Sequence, residues 1–213
     1  MKATVAARRE DERENQIRVD EETMYRRWLL SLRGLRHDLL NDIQVLTGYF
    51  QLQKLEDCRR YLERMNQRLQ QESLLLQLDY APLVVYLMTF NYLQDVIRLE
   101  VELDECVALT DLIISPREFY EMIKRWLDMY CRYAAPSKQE DVPLENNHLL
   151  LGIRMLPRQL EVTFDYVGYW RAGLAQKEIR RCMDELMQFG IQCTVDVHSE
   201  QESVLKMTVP RQS

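Results

Sequence analysis

Leu32, Leu35, Leu39, Ile43, Leu46 and Phe50 recur at steps of three and four, the interval at which side chains line one side of an α-helix. The stripe predicts a helix from about Glu22 to about Gln53, which Gly34 and Gly48 weaken without breaking. After a short break at Lys54-Leu55-Glu56-Asp57, a second stripe at Cys58, Leu62, Met65, Leu69 and Leu76 predicts another helix from about Glu56 to Gln77. Two long helices joined by so short a break form an antiparallel hairpin. A lone hairpin cannot cover its apolar seam on both sides. The seam is therefore expected to meet a second copy about a two-fold axis as a four-helix bundle, with packing on the chain's own C-terminal half as the alternative.

The pattern changes on either side of this hairpin. Residues 1–20 alternate Arg with Asp and Glu and offer little to bury, which predicts a disordered or frayed helical extension. Beyond Asp79 the sequence predicts a short helix with Pro82 in its first turn, then an alternating strand through Val96–Glu105. Ser115-Pro116-Arg117-Glu118 reads as a helix N-cap with Pro at the first helical position, opening an amphipathic helix to about Ala134. A polar loop over 135–147 precedes a hairpin turning at Pro157-Arg158-Gln159, a helix from about Ala175 to Phe189, and two further strands. The fold class is thus α+β: a long helical hairpin over 21–79, forming a dimeric four-helix bundle, and an α/β sandwich over 80–213.

Composition narrows the function classes. A net charge of −6 argues against a dedicated nucleic-acid binder, which normally carries a basic stripe. No window is long and apolar enough for a membrane span, and the N-terminus has no apolar signal core, so the expected location is the cytoplasm. Cys58, Cys106, Cys131, Cys182 and Cys193 include no C-x-x-C pair, which suits neither a disulfide framework nor a zinc site. They are expected to be reduced and mostly buried. No metal site is expected in the chain.

His37 is one of three histidines. At 100° per residue it projects about 140° away from Leu32, on the polar side of the first helix. Asn41 lies one turn on, and Gly34, Gln44 and Gly48 share the same side, where the two glycines would let another surface approach closely. Near neutral pH an exposed imidazole is largely uncharged, as a nitrogen nucleophile must be, and the adjacent Asp38 is placed to accept its other N–H. Arg33 and Arg36 precede it, and no acid lies between Thr23 and His37, so a phosphoryl group on the ring would be tolerated. On these residues alone, an exposed histidine without a role and a merely solvated cationic flank stay open. His148 and His198 have no ligand-type neighbours in the sequence and are read as structural.

Arg36-His37-Asp38-x-x-Asn41, with Gln44, Gly48, Gln51-Leu52 and then Glu72-Ser73, resembles the phosphoacceptor hairpin of two-component histidine kinases. It is most similar to the sporulation initiation phosphotransferase B family, with Leu78 and Thr89-Phe90-Asn91 as further echoes; beyond Asn91 the likeness is architectural. The resemblance implies a hairpin dimer with an appended domain like a degenerate histidine-kinase ATPase fold. It also implies that His37 takes a phosphoryl group from the aspartyl phosphate of one response regulator and passes it to a second without ATP. Asp38 would be the orienting acid and Asn41 a neighbour helping to position the phosphoaspartate, with Arg33, Gly34, Arg36, Gln44 and Gly48 facing the regulator. No cofactor is expected in this chain, and Mg²⁺ would sit in the regulator.

The rival implied by the same resemblance is an ATP-dependent sensor kinase. Met129 and Tyr130 stand where such kinases carry a metal-binding Asn and a small residue, and Asp165-Tyr166-Val167-Gly168-Tyr169 replaces the second glycine of the nucleotide turn with Tyr. No later G-x-G lid motif follows. These departures favour the phosphotransferase. A third reading, a non-catalytic helical dimer that docks a partner, would leave His37 incidental.

Overall fold

The computed structural model describes residues 2–135 and 147–212, with backbone only for 2–21, Thr23 and Arg27. The middle of the expected polar loop, 136–146, lies outside the described residues. The chain forms two compact units, Met1–Arg60 and Tyr61–Ser213.

The first unit is dominated by α1, Lys2–Gln51, whose backbone carries the charged N-terminal extension as part of the same helix. Two polar side chains, Ser31 and Asp42, are buried, and both make polar contacts. The stripe that sequence periodicity assigns to a core is exposed in the single chain at Leu32, Leu35, Leu39, Ile43 and Phe50. The helix ends in a tight turn at Leu52–Lys54, which begins two residues before the expected break and shares only Lys54 with it. There the Gln53 N–H donates to Phe50 O at 3.0 Å and the Lys54 N–H to Tyr49 O at 2.9 Å, while Gln53 adopts φ 56°. This pair of bonds is a Schellman closure, and it satisfies carbonyls that the last helical turn leaves unpaired. Leu55, Glu56 and Asp57, expected in the break, instead open α2, Leu55–Leu75, whose first turn carries both acids. Carboxylates there face the positive end of the helix dipole.

The C-terminal part of α2 belongs to the second unit, so the division falls inside that helix and not at Asp79, where the sequence pattern changes. The reason is a set of long-range contacts. Leu75 and Leu78 are buried in the second unit's core, the Leu103 N–H donates to Gln71 Oε1 at 2.9 Å, and Asp79 accepts from Leu109 N–H (2.9 Å), Thr110 N–H (3.1 Å) and Thr110 Oγ1 (2.9 Å). Asp79 thereby caps a 3₁₀ turn, Leu109–Asp111, thirty residues away.

In chain order the second unit continues with α3 (Ala81–Leu93), β1 (Arg98–Leu103), α4 (Pro116–Tyr133), β2 (His148–Met155), β3 (Gln159–Val167), α5 (Ala172–Met187), β4 (Gln192–His198) and β5 (Glu202–Pro210). The strands form one sheet in the order β1-β2-β3-β5-β4, with β1 parallel to β2 and the other pairs antiparallel. Alternation decides its faces: Leu160, Val162, Phe164 and Tyr166 of β3 are buried, whereas the intervening residues are half-exposed. The buried face meets α3, α4 and α5 in a two-layer sandwich. Helix α4 begins where expected, with Ser115 accepting from the Glu118 N–H at 3.2 Å and the Glu118 carboxylate accepting from the Ser115 N–H at 2.7 Å. This capping box satisfies two donors that a helix start leaves open. Helix α5 starts three residues earlier than its expected Ala175. All five cysteines are free, but only Cys182 is buried; Cys106 is exposed and the others are half-buried.

Candidate functional site: an exposed histidine on the first helix

His37 sits in the middle of α1, with 72% of its side chain exposed. Two neighbours converge on one ring nitrogen. Asp38 Oδ1 lies 3.5 Å from Nδ1, and the Asn41 amide lies 3.2 Å from the same atom. The Asn41 contact follows from helix geometry, because residue i+4 stands one turn above residue i on the same side, whereas Asp38 stands about 100° round and reaches the ring from the flank.

The tautomer decides what this arrangement does. With its proton on Nδ1, the ring donates toward Asp38, and Asn41 can join by presenting its amide oxygen, since oxygen and nitrogen of that group exchange by a flip. The lone pair is then on Nε2, the nitrogen that neither neighbour contacts. If the Asn41 NH₂ donates to Nδ1 instead, the proton moves to Nε2 and the nucleophilic lone pair faces inward. A carboxylate beside Nδ1 favours the first state, as it can only accept.

Arg33, Arg36 and Gln44 are exposed, and Gly34 and Gly48 are half-buried. Measured from His37, Arg33 and Asn41 fall about 40° away around the axis, Gln44 and Gly48 about 20° and Gly34 about 60°, so the helix brings them onto one face. Arg36 stands about 100° round on the flank. A Cβ built on Gly48 would meet nothing within 4 Å, so the packing of this chain does not require glycine there. Two further residues share the face and escape a reading based on motif: Leu30 and Leu40, which are 50% and 48% exposed. Their signal was the helical phase itself, as neither belongs to the apolar stripe.

The other two histidines are occupied structurally. His148 Nε2 lies 3.2 Å from the Glu100 carboxylate across the parallel pair, and His198 Nε2 donates to Ala172 O at 3.1 Å while its ring meets Trp170 edge-on. Among the described residues no three His, Cys, Asp or Glu side chains are grouped as metal ligands, and no helix is long and apolar enough to cross a membrane.

In the second unit, Met129 and Tyr130 are buried under the sheet. The Tyr130 ring lies near-parallel to Phe164, Tyr166 and Trp170, with centroids 6.0, 5.5 and 5.4 Å away. Gly168 has φ 151°, and a Cβ there would fall 2.4 Å from Asn147 Oδ1, the atom that accepts from the Tyr169 N–H. The Asn147 amide also donates to Val96 O and Ala135 O, so a buried, fully engaged side chain closes this turn.

Residues 18–78 match the family model described as the Sensor_kinase_SpoOB-type, alpha-helical domain. This segment is similar to a SpoOB-type helical domain. His37, Asp38 and Asn41 all lie within the matched segment, which runs from Arg18 through α2 to Leu78. Comparison with curated proteins gave no match. Among solved structures, the Acinetobacter baumannii histidine kinase AdeS is similar at 13% identity and a TM-score of 0.41, over 83% of this chain and 98% of that one. The histidine kinase ThkA, in complex with the response regulator protein TrrA, is similar at 11% identity and a TM-score of 0.43, over 84% of this chain and 60% of that one.

Proposed function

We propose that this chain is a cytoplasmic, homodimeric phosphorelay phosphotransferase, moving a phosphoryl group between aspartates of two response regulators through His37. The observation that carries this reading is the placement of Asp38 and Asn41 at Nδ1 of an exposed imidazole within a SpoOB-type helix. In the forward step the Nε2 lone pair forms a bond to phosphorus while the bond from phosphorus to the aspartyl oxygen breaks, and the carboxylate leaves with its electron pair. The return step breaks the N–P bond as a carboxylate oxygen of the second regulator attacks. Such transfers are loose, with charge spread over three phosphoryl oxygens, so positioning and charge compensation are what the protein supplies. Asp38 holds the Nδ1 proton and balances the positive ring of the phosphoimidazole, and Arg33 and Arg36 offset the phosphoryl charge. Mg²⁺ belongs to the regulator's acidic pocket and not to this chain.

The exposed stripe on α1 supports the dimer: five large apolar side chains on one helical face lose free energy in water unless another surface covers them. A second copy covers them as a four-helix bundle. The aromatic rings of Tyr130, Phe164, Tyr166 and Trp170, stacked in the interior of the second unit, support a domain that does not use ATP. The setting in sporulation initiation rests on the family resemblance.

The deciding experiment is transfer of label from aspartyl-phosphorylated receiver domains to this chain. Label is expected on His37, labile in acid and stable in base. His37→Gln removes the nucleophile but changes only an exposed side chain, so it abolishes transfer while stability shifts by no more than about 0.5 kcal/mol. Undiminished relay in that variant, or acid-stable label on Ser, Thr or Tyr, would overturn the reading.

A further inference from the structure

We infer that the second unit clamps α2: it holds the last turns of that helix, and the connection after it, as one rigid body with the sheet, and so presents the α2 half of the apolar seam to the second copy. The inference rests on the homodimer reading and gives the second unit a role within it.

The connection from α2 to α3 has no free segment. Only residues 76–80 separate Leu75 from Ala81. The backbone first tightens, with the Gln77 N–H donating to Leu74 O at 3.1 Å and the Leu78 N–H to Leu75 O at 3.2 Å. Leu75 and Leu78 are buried in the core, the Asp79 carboxylate takes its three bonds from Leu109 and Thr110, and the Tyr80 ring centroid lies 6.0 Å from that of Tyr120 on α4. One turn before Leu75, the Gln71 amide oxygen accepts the N–H of Leu103 on the edge strand β1. The end of α2 is therefore pinned by β1, by the 3₁₀ turn and by α4. A flexible linker would let the second unit swing on α2, whereas a connection fixed at successive residues does not.

The clamp grips one side of α2 and leaves the other free. Around the axis, Leu62, Leu69 and Leu76 point about 100° to 180° away from Gln71 and Leu75. Each is about half in water, and all three belong to the same compact unit as the sheet. Leu75 is the one buried residue of this 21-residue helix, and a helix with so little packing is marginal by itself. Its order has to come from the anchors at its C-terminal end. A helix that is ordered before the two copies meet spares association the cost of ordering it, so the clamp strengthens the dimer without touching its interface.

The test is amide hydrogen exchange of the full-length chain in sub-denaturing urea, with sedimentation of the same samples. In the wild type, protection of the amides of residues 71–75 is expected to match that of β3 within about tenfold and to share its urea dependence, because the helix end opens only when the core does. In Gln71→Ala/Asp79→Ala, neither of which lies in the seam, exchange at 71–75 is expected to outrun β3 by a further factor of about ten or more, and the dimer dissociation constant to rise about fivefold or more. Gln71→Glu/Asp79→Asn, which keeps an acceptor oxygen at both places, is expected to stay near the wild type. Exchange at 71–75 far faster than β3 in the wild type overturns the inference, and this comparison decides alone if the alanine variant does not fold. An unchanged exchange ratio, or an unchanged dissociation constant, in a folded alanine variant overturns it as well. A wild-type monomer instead removes the homodimer reading and the seam with it, and is told apart from a failed clamp because exchange reports the clamp in a monomer too.

Discussion

The Asn41 amide lies 3.2 Å from His37 Nδ1, nearer than the Asp38 carboxylate at 3.5 Å, so the ring is braced from the next turn as well as from its immediate neighbour. At 3.5 Å a hydrogen bond is at the edge of useful geometry. Asp38 therefore acts mainly through its charge, and Asn41 through direct contact. Asp38→Asn is expected to slow transfer by removing the preference for a proton on Nδ1, and Asn41→Ala to slow it by letting the ring rotate. Neither abolishes it, since neither forms the bond to phosphorus. Single-turnover rates check this: loss of transfer in either variant as complete as in His37→Gln would show that the residue does more than position the ring.

Ile43 tests the dimer separately from the fold. It is 51% exposed in the single chain, so Ile43→Asp places the new charge in water as long as the chain is alone. In a bundle the same charge is buried and unpaired, at a cost of about 3–5 kcal/mol. Sedimentation should find a dimer for the wild type and a monomer of nearly native helix content for the variant. A wild-type monomer at micromolar concentration would remove the bundle.

Nucleotide binding tests the second unit. With Tyr130 buried against Phe164, Tyr166 and Trp170, and Asn147 closing the turn at Gly168, calorimetry with Mg-ATP is expected to give no binding in the millimolar range or tighter. A micromolar isotherm, or autophosphorylation from labelled ATP, would favour the sensor-kinase alternative.

Asp79 gives a pH-dependent prediction. Burial alone would raise its carboxyl pKa, but the bonds from the Leu109 N–H and from the Thr110 hydroxyl and N–H outweigh it and hold the group below the usual carboxylate value. A depressed folded-state pKa means that the stabilisation is fully present above the unfolded value, about 4, and is lost as pH falls through the folded value. Asp79→Ala removes a side-chain cap and is expected to cost the second unit about 1 kcal/mol near neutral pH. In urea titrations, the gap between wild type and variant should narrow steadily below about pH 4. A gap that is constant down to strong acid would mean that the ionised carboxylate is not what holds the 3₁₀ turn.

Much of the site was legible in the sequence because it is local. A helix places residues by a fixed rotation, so the outward direction of His37, the approach of Asn41 and the shared face of Arg33, Gln44 and Gly48 follow once the apolar stripe sets the phase. The capping box at Ser115 and Glu118 was legible for the same reason, as its partners are three residues apart. Tertiary structure decided what depends on distant partners. The end of α2 joins the second unit because Gln71 meets Leu103 and Asp79 meets Leu109, contacts that span thirty residues or more. The stacking of Tyr130 with Tyr166 and Trp170, and the engagement of Asn147 at Gly168, required the sheet to be assembled first. Periodicity reports the direction in which a side chain points, whereas the neighbour it meets is set by segments far along the chain, and only the folded packing brings those together.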